Sequence, residues 1–183
     1  LKHLLFFTFL IVIIGCSETE ARRPVKVKTG NILQQSVERN KNLLAIEEAM
    51  MQKIIAQDSL NTYFSSGGGS WYYYVNKNDQ ADYFPQTDDL VSLQYNLVSF
   101  ENDTIYTQQD IGIITYKVDK QELFPGLRTA VKLLKENETA TFLIPSSLGY
   151  GYHGDNDQIG INIPLKATVS ILKIDKQSTN IQN

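Results

Sequence analysis

Apolar positions along the chain follow three successive spacings. An almost unbroken run covers residues 4–14, interrupted only by Thr8. From Ile32 the apolar residues recur every three or four positions, at Leu33, Val37, Leu44, Met51 and Ile55, with Leu43, Ile46, Met50 and Ile54 widening the stripe. This period predicts an amphipathic helix over 32–64, where no proline or glycine intervenes. Glu38, Arg39, Lys41, Glu47, Glu48 and Lys53 fall on its polar face. From Trp71 the period drops to two. Residues 90–98 alternate, with Val91, Leu93, Tyr95 and Leu97 on one face and Ser92, Gln94 and Asn96 on the other.

Further strands are predicted over 71–75, 104–107, 111–118, 139–144 and 169–174, from their aromatic and β-branched content and the turn residues between them. Leu127, Ala130, Val131 and Leu134 stand at i, i+3, i+4 and i+7. They mark one short helix with a single buried face, opened by Pro125, whose missing N–H costs nothing in a first turn. Strands in antiparallel order with one helix to cover them give an α+β domain over 71–176, with a tail at 177–183. The segment 65–70, Ser-Ser-Gly-Gly-Gly-Ser, reads as a flexible linker. It lacks the Lys-Ser/Thr of a phosphate loop, and a strand follows it.

The chain has 183 residues, 42% of them hydrophobic, which supports one core with appendages. The net charge of −3 and the absence of a basic stripe argue against a nucleic-acid partner. The apolar run over 4–14 is shorter than the roughly 20 residues that span a bilayer, so 1–15 is expected to be a signal peptide. It ends in Ile13-Ile14-Gly15-Cys16, which resembles the bacterial lipobox. That resemblance makes Cys16, the single cysteine, the lipidation site, with 16–31 as a lipid-anchored tether. Ser17 after the cysteine implies sorting to the outer membrane, facing the periplasm. Arg22, Arg23, Lys26 and Lys28 read as a solvated part of that tether. Asn40 falls on the apolar seam of the long helix, where coiled coils place a register-setting residue. Pairing with a second copy to form a homodimer, and packing on the helix's own domain, are both open readings.

Phe84-Pro85, the strand through Tyr95, Asp119 to Gly126 with its Leu123-Phe124-Pro125-Gly126-Leu127 turn, and Ile144 to Gly151 resemble FKBP-type peptidyl-prolyl cis-trans isomerases. The resemblance covers about residues 71–175. It implies an FKBP-like twisted antiparallel sheet wrapped on one short helix, preceded here by the N-terminal helix, and an isomerase acting on proline-containing polypeptides without a cofactor. It also implies a site in which Tyr95, Phe124 and Tyr150 are catalytic. Tyr106, Ile114, Tyr116, Leu123, Leu127 and Ile159 would line the substrate pocket, with Leu127 as its floor. The Phe124 N–H and the Tyr150 hydroxyl would donate to substrate carbonyls. Five positions depart from the family pattern: Leu127 stands for a frequent tryptophan, Thr107 for an aspartate, Ala167 and Ile114 for phenylalanines, and Asp155 for a histidine. They leave a binding module or chaperone subunit of a motility or secretion machine as the second reading.

A narrower resemblance runs through Arg22-Arg23-Pro24, Ser36 to Asn40, Trp71 to Tyr74 and Tyr150 to Asp155. These stretches are similar to gliding-motility-associated FKBP-type lipoproteins and imply a role near a gliding or secretion apparatus. No metal is expected. His153 is the one histidine past the signal segment and has no cysteine partner. Asp155, Asn156 and Asp157 lack the glycine and distal glutamate of a calcium loop, so they read as a solvated flap.

Overall fold

The computed structural model describes residues 29–177. The expected signal peptide, Cys16, the basic cluster and residues 178–183 lie outside them. The chain divides into two compact units, 1–37 and 38–183. The described part of the first unit is the opening of helix α1 (Thr29–Gln57).

The second unit carries strands β1 (Phe64–Ser65), β2 (Trp71–Asn76), β3 (Leu90–Ser99) and β4 (Thr104–Tyr106), helix α2 (Gln108–Ile111), β5 (Ile114–Lys117), helix α3 (Pro125–Leu133), β6 (Thr139–Ile144) and β7 (Leu165–Asp175). They form one antiparallel sheet in the order β1-β2-β6-β7-β3-β4, with β5 also paired to β3. The long β3–β7 ladder runs from Leu90↔Asp175 to Ser99↔Leu165, with a bulge between Ser92 and Leu93.

Alternation along each strand builds the core. Val91, Leu93, Tyr95 and Leu97 are buried, as are Ala140, Phe142 and Ile144 on β6 and Leu165, Ala167, Val169 and Ile171 on β7. The face they form packs on Leu127, Ala130 and Val131 of α3. That helix can lie close because Gly126 has no side chain. A Cβ there would stand 2.6 Å from Ile144 Cγ2.

The opposite face of the sheet is covered as well. Met51 of α1 is buried in a second cluster with Phe100 and Leu143, and Met50, Ile54, Ile55, Tyr63 and Trp71 pack around them. The later half of α1 therefore docks on its own domain. Glu47, expected on the polar face, is 2% exposed. It lies one turn before Met51, so docking of the helix takes its side chain inward too.

Other expectations shift. The long helix ends at Gln57 rather than at 64. The Asp58 carboxylate accepts from the amides of Leu60 and Asn61 and draws the chain out of the helical path. The glycine–serine segment is ordered. Phe64 and Ser65 pair with Tyr72 and Trp71, Ser66 N–H donates to Ser70 O, and Ser66 Oγ accepts from the Gly68 and Ser70 amides. It is the loop of a hairpin, not a free linker. The strand expected from Ile111 begins at Ile114. Residues 108–111 form a helical turn capped by Thr107, whose hydroxyl accepts from Asp110 N–H while the Asp110 carboxylate accepts from Thr107 N–H.

Candidate functional site

Helix α3 starts at Pro125, and Phe124 is its N-cap in extended conformation. That geometry leaves the Phe124 N–H outside the helical ladder, and no described residue accepts from it. Leu127, one turn in, is fully buried. Tyr95 reaches the same place from β3. Its ring centroid is 6.3 Å from that of Phe124, edge-on.

Tyr150 comes from the long connection between β6 and β7. Pro145 and the 3₁₀ turn Ser146–Leu148 reverse the chain, and Gly151, at φ +56°, returns its N–H to Ser146 O. The Tyr150 ring then lies 5.1 Å from Phe124, centroid to centroid. Its hydroxyl makes no hydrogen bond to a described residue. Burial raises the Tyr150 hydroxyl above the ordinary tyrosine value, and the charge of Asp155 adds to this. Burial pushes Tyr95 up to about 12, with Tyr150 contributing.

Tyr95, Leu127 and Ile159 are buried and belong to the large core cluster. Ile105, Tyr106, Ile114, Leu123, Phe124 and Tyr150 are partly exposed and packed against that core. Tyr116 is as buried as Tyr95, Leu127 and Ile159. It is 2% exposed, and its hydroxyl accepts from Asp119 N–H. It fills the core beneath the rim. Ala167 is also fully buried, facing Leu97 and Phe142 across the ladders.

Asp155, which the sequence pattern places in a solvated flap, is instead a hydrogen-bonded strut. Its Oδ2 accepts from the Tyr106 hydroxyl at 2.6 Å, and its Oδ1 accepts from the amides of Asp157 and Ile159 at 2.9 and 2.8 Å. Burial opposes ionisation of Asp155, but these donors outweigh it and hold the carboxyl below its ordinary value. The same bond, foremost, pushes Tyr106 up to about 12. Asp155 thus ties β4 to the loop that carries Tyr150 and Ile159, while Thr107, where the family pattern has an aspartate, is spent on capping α2.

The arrangement is an apolar, aromatic-walled surface with two unpaired donors at its rim. It offers no nucleophile poised beside a base. It suits recognition of an apolar group flanked by carbonyls. A cleft of about 470 Å³ on the other face of the sheet, lined by Asp58, Tyr63, Tyr73 and Lys166 among others, shares no residue with it and is largely polar.

A sequence profile of the family described as FKBP-type peptidyl-prolyl cis-trans isomerase matches residues 81–172. The chain is 31% identical over 129 residues to a protein of Neisseria meningitidis serogroup B described as "Probable FKBP-type peptidyl-prolyl cis-trans isomerase FkpA". The match covers 69% of this chain and 44% of that protein, so the chain spans less than half the length of this relative. Among solved structures, FkpA from Escherichia coli has a TM-score of 0.59 at 16% identity, covering 95% of this chain and 82% of that one. A peptidyl-prolyl cis-trans isomerase from Pseudomonas syringae pv. tomato has a TM-score of 0.59 at 14% identity, covering 74% and 96%. At such identities these two likenesses speak to the fold.

Proposed function

This chain belongs to the FKBP-type peptidyl-prolyl cis-trans isomerases, and from that membership we propose that its domain speeds cis–trans exchange at prolyl bonds of exported polypeptides. Rotation about a peptide bond faces a barrier of about 18–20 kcal/mol from C–N resonance. Before proline the two isomers differ by only about 0.5–1 kcal/mol, so exchange is slow but nearly balanced. Such a reaction needs no covalent step. The twisted amide has lost resonance and much of its dipole, and an apolar wall favours it over the planar, hydrated ground state. A thousandfold acceleration requires about 4 kcal/mol of that preference.

The observation that carries this reading is the pairing of Phe124 and Tyr150. Their rings are 5.1 Å apart, beside buried Leu127, and each residue has an unpaired donor. In the proposed complex the proline ring packs among Tyr95, Phe124 and Tyr150, above the buried Leu127. The Phe124 N–H and the Tyr150 hydroxyl donate to carbonyls flanking the rotating bond. The test is a coupled assay in which a protease cleaves only the trans form of a prolyl peptide. The full chain should raise the rate, and Phe124→Ala and Tyr150→Phe should lower it. Variants as fast as the parent would show that the site is elsewhere. A binding module without turnover is the rival reading, favoured by Thr107 and Ala167 in place of the usual aspartate and aromatic.

The setting is also a proposal. Lipidation at Cys16 would anchor the protein in the cell envelope, most simply the outer membrane facing the periplasm, near a gliding or secretion machine. Acyl labelling that persists in Cys16→Ala would refute the anchor. Pairing of α1 with a second copy is supported by Leu33, Val37 and Leu44, which are 63%, 53% and 45% exposed on one helix with Asn40 between them.

A further inference from the structure

Beside α1 lies a pocket of about 160 Å³ that the isomerase site does not use. Leu43 and Leu44 of the helix and Tyr152 of the flap help to line it, and its exposed lining is mainly apolar. Asn40 and Asn162 also contribute. The remaining feature is Glu47, 2% exposed. Its Oε2 accepts from Ser146 N–H at 2.9 Å, and its Oε1 is buried with no hydrogen-bond partner among protein atoms. A carboxylate oxygen withdrawn from water without a donor is costly, and native structures seldom leave one so. The pocket is wider than a single water needs. Apolar walls with a carboxylate among them suit a side chain with an apolar stem and a cationic head.

We propose that this pocket binds the side chain of a lysine presented by a polypeptide in trans, with the ammonium on Glu47 Oε1 and the methylene stem along Leu43, Leu44 and Tyr152. Lysine is favoured over arginine by the state of the carboxylate. A guanidinium fork takes both oxygens of a carboxylate at once. Here Ser146 N–H stands on Oε2 and Oε1 alone has no donor, so a fork that must reach both oxygens is hindered and a compact ammonium on Oε1 is not. The site is separate from the prolyl site and does not depend on turnover, although Ser147, Gly151 and Tyr152 in its wall flank Tyr150 in sequence. A client or partner held there would touch both α1 and the flap.

The amide of Ser146 reports on the site directly, because it donates to Glu47. Using the full chain labelled with ¹⁵N, its signal is followed while the blocked amino acid Nα-acetyl-lysine amide is added, then the arginine and norleucine counterparts. The lysine derivative should shift the Ser146 signal saturably, the arginine derivative should bind more weakly, and norleucine should leave the signal in place. Glu47→Gln keeps an acceptor for Ser146 and removes the charge, so it should weaken lysine binding by on the order of tenfold or more. Leu44→Lys, at a position 45% exposed and one turn from Glu47, should block the added lysine without disturbing the fold. An equal response to norleucine, unchanged lysine binding in either variant, or no movement up to the solubility limit would overturn the proposal.

Discussion

Removing the Asp155 carboxylate should loosen the flap before it unfolds the domain. Asp155 accepts three hydrogen bonds, from the Tyr106 hydroxyl at 2.6 Å and from the amides of Ile159 and Asp157 at 2.8 and 2.9 Å. Bonds to a charged acceptor contribute about 1.5–3 kcal/mol each when buried. This loop is partly open to water, which replaces much of what is lost. A net cost of about 2 kcal/mol for Asp155→Ala is therefore reasonable, and it shifts the flap's opening equilibrium by roughly thirtyfold. Asp155→Asn keeps an acceptor on Oδ1 but loses the charge, so its effect should be about half as large in free energy. Hydrogen exchange at the Ile159 amide is the assay, since that N–H is bonded to Asp155 itself. Exchange there should speed up by an order of magnitude or more in Asp155→Ala, while amides in the β3–β7 ladder stay protected. The sign of the pH effect follows from the lowered carboxyl. The contribution is complete above the ordinary value of 3.8 and disappears as pH falls through the lower folded-state value. Exchange at Ile159 that is the same in all three proteins would refute the strut.

Four other outcomes follow from the same geometry. Tyr150→Phe should reduce kcat/KM by about tenfold, the worth of one hydrogen bond near 1.4 kcal/mol, with circular dichroism unchanged. Any alkaline loss of isomerase activity should be centred above pH 10, because burial, above all, pushes Tyr95 up to about 12 and raises Tyr150 above its ordinary value; a fall centred at or below pH 10 would contradict this. Gly154→Ala should destabilise the flap, read as lost Ile159 amide protection, because Gly154 sits at φ +68° and an added Cβ would collide with the Ile159 carbonyl. Val37→Glu should lower the mass measured by light scattering if α1 pairs with a second copy, and an unchanged mass would remove that pairing.

What could be read from the chain, and what could not, divides along sequence distance. The period of two through Val91, Leu93, Tyr95 and Leu97 and the i, i+3, i+4, i+7 stripe from Leu127 to Leu134 are local patterns, and the structure buries all of these residues. Phe124 and Tyr150 are named by the family resemblance of the short turns that carry them, and the structure brings their rings together. The Tyr106–Asp155 bond joins residues 49 apart. Nothing local marks it, and an Asp-Asn-Asp loop looks like any solvated turn. The α2 cap did leave a signal, since Thr107 followed three residues later by Asp110 has the spacing of a capping box, masked by the apolar residues beyond it. Glu47 escapes the local pattern for another reason. Helical periodicity assigns a charged residue to water, and only the docking of Met51 against Phe100 and Leu143 shows which flank of the helix is turned inward. Ser70, 1% exposed, was hidden by composition, because a glycine–serine string reads as a linker until its hydrogen bonds are seen.

In the proposed reaction a greasy, aromatic-rimmed surface over Leu127 lowers the barrier to prolyl rotation. Exchange spectroscopy on a peptide whose cis and trans prolyl forms give separate resonances measures that rotation with no coupling enzyme. With the folded full chain present at a small fraction of the peptide concentration, cross-peaks between the two forms should appear, and they should fade in Phe124→Ala and Tyr150→Phe. Exchange no faster than in peptide alone, from protein with its β3–β7 amides protected, would leave the domain as a binder and end the catalytic account.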